Sequence, residues 1–74
     1  MGEIDCFYGV KNNAHKKACI SQIGNTNYVE FYDNEVMIAV WSAKDKSIHW
    51  AVSLAENFCS GMLKVEPWEF KLAV

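Results

Sequence analysis

Short stretches with alternating apolar and polar side chains make up the first part of the chain. Residues 3–10 alternate in the manner of a half-buried β-strand, and the polar stretch 11–17 that follows predicts a loop. Residues 18–23 fit either a strand or a short helix that ends at Gly24, and we favour the strand. The stretch 24–27 (GNTN) is typical of a turn between two strands.

A β-hairpin is predicted over residues 28–41. Its two flanks, YVEFY and VMIAVW, are rich in β-branched and aromatic side chains, and Asp33 and Asn34 between them tolerate positive φ. The second flank, residues 36–41, is apolar at every position. Such a run indicates a strand that is covered on both faces and lies centrally in the sheet.

Helical spacing replaces this alternation between residues 47 and 60. Asp45 or Ser47 is a suitable N-cap, and Gly61 is suitable for the position just after the end of a helix. Residues 65–74 then alternate again. This last predicted strand directs one set of apolar side chains to one side: Trp68, Phe70, Leu72 and Val74.

The order of elements is therefore strand, strand, strand, strand, helix, strand, in a single domain that spans residues 1–74. Each element has to bury its apolar side against another, which places the helix on the sheet. The sequence predicts an α+β fold, with a small, mostly antiparallel sheet of four to five strands and one amphipathic helix, at about residues 47–60, on one face.

The predicted helix presents an apolar stripe to the sheet. At about 100° per residue, the side chains within this stripe are Ile48, Ala51, Val52, Ala55, Phe58 and Cys59. Cys59 is therefore predicted to be a core residue, since a reactive thiolate needs partial exposure and positive neighbours. His49 lies at the rim of the helix, so these two residues are not expected to form a catalytic dyad.

Two apolar side chains of the helix lie outside this stripe. Trp50 and Leu54 are four residues apart and contact each other on a helix, on the side that is expected to face water. Either another segment of the chain covers this ridge or the ridge contacts a partner. Because tryptophan is enriched at binding hot spots, we predict a partner-binding site there.

The sheet predicts a second binding surface. One helix covers only one face, and the open face is expected to carry Met37, Ala39 and Trp41, together with Tyr28 and Tyr32 or Phe31. Because small domains rarely leave so much contiguous apolar surface in water, we expect self-association or a partner protein to hide it. Over both surfaces, the predicted partner-binding residues are Trp50, Leu54, Trp41, Met37 and Tyr32.

Composition and charge narrow the classes of partner. The aromatic fraction of 14% is high for a chain of 74 residues, whose core is thin, so part of this surface is expected at an interface. The net charge is −2 and the seven basic residues are all lysines, so we expect no nucleic-acid partner. The basic patch, Lys11, His15, Lys16 and Lys17, is predicted to be a solvated loop. We also expect no membrane partner, because no apolar run approaches the ~20 residues that span a bilayer.

Cysteine spacing limits the chemistry that the chain can carry. Cys6, Cys19 and Cys59 are far apart, without a CxxC pair or a histidine pair at metal-ligand spacing. We therefore predict no metal, no other cofactor, and free thiols in a reduced, cytoplasmic protein. A small enzyme that uses Cys6 or Cys19 with His15 or His49 is an alternative that no motif supports.

These features predict a protein without catalytic activity that acts by binding another protein. Small acidic single-domain proteins are common among phage and mobile-element inhibitors of host protein complexes, including anti-CRISPR proteins, and this chain is similar to them in size and composition only. One alternative is a homo-oligomeric regulatory or antitoxin-like accessory protein, which would form a homodimer through the open sheet face. The second alternative is the small cysteine-dependent enzyme.

Overall fold

The structure, a computed structural model, describes the backbone of residues 2–67 and 69–72 and the side chains of residues 4–67. One turn of 3-10 helix, Lys11–Asn13, follows the first strand. The elements in chain order are β1 (Gly2–Tyr8), β2 (Lys16–Ile23), β3 (Thr26–Asp33), β4 (Val36–Ser42), α1 (Ile48–Cys59) and β5 (Glu69–Leu72). The predicted α+β fold and order of elements are confirmed.

The strands form one sheet in the order β1-β2-β3-β4-β5. The first four strands run antiparallel to their neighbours, and β5 lies parallel to β4 at one edge. β4 is therefore an interior strand, as its apolar sequence predicts, although the middle strand of the sheet is β3. Residues 18–23, for which a helix was the alternative, belong to β2.

Tight turns join the strands of the two central hairpins. Gly24, with a φ of 62°, lies in the turn that joins β2 to β3. Asn34 and Glu35 join β3 to β4, and both have positive φ, 52° and 70°, as in a type I′ turn. The turn lies one residue later than predicted, because Asp33 still pairs with Val36 at the end of the ladder.

Local chemistry determines where α1 begins and ends. The hydroxyl oxygen of Ser47 accepts a hydrogen bond from the backbone N–H of Trp50 at 3.2 Å, so Ser47 rather than Asp45 is the N-cap. Gly61 follows the last turn with a φ of 88°, a left-handed conformation that glycine adopts without steric cost.

The core lies between α1 and one face of the sheet, where α1 packs mainly on β2 and β3. Its buried side chains are Ala18, Ile20, Val29, Phe31, Ala39, Trp41, Ala43, Ala51, Ala55, Phe58, Cys59 and Val65. Phe31 lies at the centre and contacts the rings of Trp41 and Phe58 edge-on, with centroid distances of 5.1 Å and 5.0 Å. The predicted burial of Phe58 and Cys59 is confirmed.

Helix α1 covers the opposite face of β4 from the one predicted. The sequence pattern places Ala39 and Trp41 on the open face, but both are buried, and Trp41 is only 9% exposed. Ala39 pairs with Phe31 and Trp41 pairs with Val29, and directly paired residues share a face of the sheet. Because Phe31 contacts Phe58 of α1, this is the covered face. The predicted placement of Ala39, Trp41 and Phe31 on the open face is therefore wrong.

Two further predictions differ from the structure: the width of the buried stripe of α1 and the length of the last strand. In α1, Ile48 is exposed and Val52 is half-buried, so the buried stripe is narrower than the sequence pattern predicts. β5 is shorter than the predicted stretch 65–74. Trp68 and Val74, which we assigned to one side of that strand, lie outside the described residues.

Candidate protein-interaction surface

The face of the sheet opposite α1 carries all three tyrosines of the chain. Tyr28 and Tyr32 alternate with the buried residues of β3, so their side chains project away from the helix. Tyr8 of β1 lies on the same side, because Tyr8 pairs with Lys17 of β2, which in turn pairs with Tyr32. We call this surface the tyrosine face and define it by Tyr8, Lys17, Tyr28, Glu30, Tyr32 and Met37.

The aromatic side chains of the tyrosine face are partly accessible and partly held by neighbours. Tyr8 is 67% exposed, whereas Tyr28, Tyr32 and Met37 are half-buried. The Lys17 ammonium nitrogen lies 4.5 Å from the centroid of the Tyr32 ring and 3.9 Å from a carboxylate oxygen of Glu35. A cation over the ring face restrains the ring without covering its edge. Lys17 therefore restrains the Tyr32 ring, one of the three tyrosine rings on this face.

Two neighbouring lysines confirm which side chains lie on which face. The ammonium nitrogen of Lys16 lies 5.4 Å from the centroid of Phe58, on the helix side of the sheet. Lys17, the next residue, lies over Tyr32 on the other side. Both residues belong to β2, so the predicted solvated loop ends before them, and of the four residues of the basic patch Lys11 and His15 are exposed.

A shallow cavity of about 240 Å³ lies at one end of the tyrosine face, lined by Tyr8, Ala14, His15, Lys16, Lys17, Asn34 and Glu35. The carboxylate of Glu35 lies 3.9 Å from the ammonium of Lys17, which offsets part of its positive charge. The imidazole Nε2 of His15, which also lines the cavity, lies 3.9 Å from a carboxylate oxygen of Asp33. The mixed charge of this cavity does not favour a phosphate group over other polar ligands.

The Trp50–Leu54 ridge of α1 is less accessible than its position outside the apolar stripe indicates. Both side chains are half-buried and pack against the core. The ammonium nitrogen of Lys46 lies 5.6 Å from the centroid of the Trp50 ring, so the segment before α1 covers part of the ridge. Because little of the ridge is accessible, partner binding through Trp50 and Leu54 is kept only as an alternative to binding through the tyrosine face.

Two of the three cysteines are joined. Cys6 of β1 lies directly opposite Cys19 of β2, with their Cα atoms 4.0 Å apart, and the two residues form a disulfide. The prediction of free thiols is therefore wrong for these two residues. An enzyme that uses either of them as a nucleophile would first need this bond to be reduced.

Cys59 is the remaining cysteine, and its thiol is free and buried. The thiol donates to the carbonyl oxygen of Phe7 at 3.3 Å. Burial raises the pKa of the Cys59 thiol, although a hydrogen bond from the backbone N–H of Ala18 and the charge of Lys16 act in the opposite direction. A thiol that keeps its proton is a poor nucleophile, so this site favours a packing role for Cys59.

Sequence reasoning assigned Tyr28, Tyr32 and Met37 to the open face and missed Tyr8 and Lys17. The available signal was the alternation around Glu30, whose charge marks the uncovered side of β3. Tyr8 and Lys17 could be added only with the pairing of β1 and β2, because residues 11–17 were predicted to form a loop that includes Lys17.

Neither a metal site nor a membrane-spanning helix is found in the described part of the chain. Within residues 2–67 and 69–72, no three histidine, cysteine, aspartate or glutamate side chains are grouped so that they could hold a metal ion. No helix among these residues has the length and apolar character needed to cross a membrane. Comparisons with protein-family models, with curated proteins and with solved structures found no match to this chain.

Proposed function

We propose that this chain is a protein-binding module without catalytic activity of its own, and that it binds its partner through the tyrosine face. The observation that carries this proposal is the gathering of Tyr8, Tyr28 and Tyr32 on the side of the sheet opposite α1. Tyrosine combines a large, rigid apolar ring with a polar end and is enriched at protein interfaces and binding hot spots.

The size of the surface is compatible with such a role. The accessible surface of the protein is 4891 Å². A standard interface takes about 800 Å² from each partner, which is about a sixth of that surface and comparable to one face of a small sheet. Binding sites for small molecules are usually enclosed and about 300–1,000 Å³ in volume, whereas the cavity at the end of this face is shallow and about 240 Å³.

We extend this role to inhibition of a host protein complex by a phage or mobile-element protein. Support comes from the small size and the net charge of −2, which would suit a basic surface on the partner. A cytoplasmic location is part of the same proposal. Disulfides in that compartment are usually transient, so the Cys6–Cys19 bond would then respond to cellular reductants.

A quantitative capture experiment tests the tyrosine face. A partner captured from a lysate of the source cells is identified, purified and titrated by calorimetry against wild type and a Tyr28→Ser/Tyr32→Ser variant. Loss of two hot-spot side chains should raise Kd by about 30-fold or more. Met62→Ser is the matched control, because Met62 is 82% exposed and lies after α1, away from the sheet face. Unchanged affinity in the double tyrosine variant would contradict the proposal.

A third variant separates the two predicted surfaces. Trp50→Ala alters the ridge of α1 and leaves the tyrosine face intact, so its Kd should stay close to that of wild type. If Trp50→Ala abolishes binding at unchanged melting temperature while the tyrosine variant binds normally, the partner uses the ridge instead.

The homodimer is the second candidate occupant of the same face. Light scattering after size exclusion gives the mass in solution. A wild-type mass of twice the 8.4 kDa chain that returns to one chain in the Tyr28→Ser/Tyr32→Ser variant would show that a second copy occupies the tyrosine face.

A further inference from the structure

Strand β1 lies at the edge of the sheet and pairs with β2 alone. A register shift between Glu3 and Asp5 interrupts this ladder near its start. Of the β1 side chains that the structure describes, Phe7 is the one that packs against the core, while Ile4 and Tyr8 are exposed. Non-covalent attachment of β1 to the rest of the fold is therefore weak compared with that of β2 or β3.

The Cys6–Cys19 disulfide crosses this weakly held pair of strands on the side of the tyrosine face. Cys19 is only 1% exposed, whereas Cys6 is half-buried. A thiolate from solution can therefore reach the sulfur of Cys6 more easily than that of Cys19, and access decides which sulfur is attacked. On the opposite side of the sheet, the Cys59 thiol lies against the carbonyl oxygen of Phe7, under β1.

We propose that the Cys6–Cys19 disulfide is a redox-sensitive link that holds β1 on the sheet and releases it when reduced by a dithiol. One thiolate of the dithiol bonds to the sulfur of Cys6, the Cys6–Cys19 bond breaks, and Cys19 leaves as a thiolate that takes a proton from water. The second thiolate then attacks the dithiol sulfur bound to Cys6. Cys6 is released and protonated, and the dithiol becomes a cyclic disulfide. The protein gains two electrons and two protons.

Reduction should open β1 locally because the closed loop between Cys6 and Cys19 loses its covalent constraint while the packing of α1 on β2 and β3 is kept. Opening would remove Tyr8 from the tyrosine face, so control of partner binding by this link rests on the proposed function. The opening itself does not depend on a partner and can be measured on the protein alone.

Cys59 provides a built-in reporter, since its thiol becomes accessible when β1 leaves the sheet. The oxidised protein and a Cys6→Ala/Cys19→Ala variant are treated with iodoacetamide under the same non-reducing conditions, and alkylation of Cys59 is followed by peptide mass spectrometry. We expect alkylation of Cys59 at least tenfold faster in the variant. Equal rates would overturn the proposal, because β1 would then stay in place without the disulfide.

Amide hydrogen exchange distinguishes opening of β1 from global unfolding and also applies if the variant folds poorly. Wild type is reduced with dithiothreitol, and exchange is compared between Gly9, whose N–H donates to the carbonyl oxygen of Lys16 at 3.0 Å, and the β3 amides of Val29 and Phe31. We expect at least tenfold faster exchange at Gly9 with little change in β3. Equal acceleration at all three amides would show that the disulfide stabilises the whole fold and not β1 alone, and this would overturn the proposal.

Both readouts are independent of the partner titration. If reduction opens β1 but the tyrosine variants bind a partner normally, the redox role of the disulfide is supported and the proposed function is refuted. If β1 stays on the sheet after reduction while the tyrosine variants lose affinity, the redox role is refuted and the proposed function is supported.

Discussion

Replacing Phe31 by leucine tests the arrangement of the core most directly. Phe31 is fully buried and makes edge-on contacts with Trp41 of β4 and Phe58 of α1. Each aromatic pair contributes about 0.5–1.5 kcal/mol beyond its buried area, so loss of both should lower the free energy of unfolding by about 1–3 kcal/mol. The free energy of unfolding of a chain of 74 residues is expected to be about 4–11 kcal/mol. The Phe31→Leu variant should therefore still fold, but with clearly lower stability.

Urea denaturation followed by tryptophan fluorescence measures this loss. With a slope of about 1 kcal/mol per molar urea for so small a protein, the midpoint should fall by about 1–3 M. Phe7→Leu is the matched control, because it makes the same chemical change at a half-buried position on the edge strand. If Phe31→Leu lowers the free energy of unfolding no more than Phe7→Leu does, the contacts among the three central rings do not contribute the stability expected of them. A double-mutant cycle with Phe58→Leu should show coupling, since the two rings are in contact.

Three further predictions concern single positions. Gly9→Ala should lower the free energy of unfolding by about 1–3 kcal/mol, because a Cβ at Gly9 would overlap the backbone carbonyl of Asn13; an unchanged urea midpoint would contradict this. Glu35→Gly should raise stability by about 0.5–1 kcal/mol, because the second residue of a type I′ turn favours glycine and Glu35 has a φ of 70°. A lower melting temperature in this variant would mean that the exposed Lys17–Glu35 pair matters more than the backbone. The raised pKa of the Cys59 thiol means that the unfolded chain loses this proton first as pH rises, so stability is full below the ordinary pKa of a cysteine thiol and declines above it. Urea midpoints of wild type and Cys59→Ala measured between pH 7 and pH 10 should therefore diverge above that value, and parallel curves would contradict the assignment.

The element order followed from the sequence because most elements carry an unambiguous period. The helix shows its stripe from Ala51 to Cys59, with a cap residue before it and Gly61 after it. β3 alternates between Tyr28, Glu30 and Tyr32 on one side and buried residues on the other. These local signals are sufficient for element type, since each is set by residues close together in the chain.

The orientation of β4 could not be read in the same way. Its sequence from Val36 to Trp41 is apolar on both sides, so no polar position marks the face that α1 leaves open. The face is decided by a register shift within the β3–β4 ladder: Tyr32 pairs with Met37, but the next pair is Phe31 with Ala39, so Ile38 is an extra residue in β4. This extra residue places Ala39 and Trp41 on the covered face, and nothing in the apolar sequence of β4 marks its position.

The disulfide was missed for a related reason. Cys6 and Cys19 become neighbours only when β1 and β2 pair, and the stretch between them contains a turn of 3-10 helix without a strong hairpin signature. An odd number of cysteines at wide spacing then favours free thiols. The tyrosine face depends on the same pairing, which is why Tyr8 was recognised as part of it only in the folded chain.

The chain order of the sheet has a consequence for protein synthesis. Strands β1 to β4 each pair with the next strand along the chain, so this part of the sheet can begin to form before α1 is made. Helix α1, which covers its apolar face, is made only afterwards. At about 5–20 residues per second, synthesis of residues 43–59 takes about 1–3 s, during which the surface that holds Phe31 and Trp41 has no helix to bury it. A nascent chain at this stage would be a target for chaperones and for aggregation with other copies.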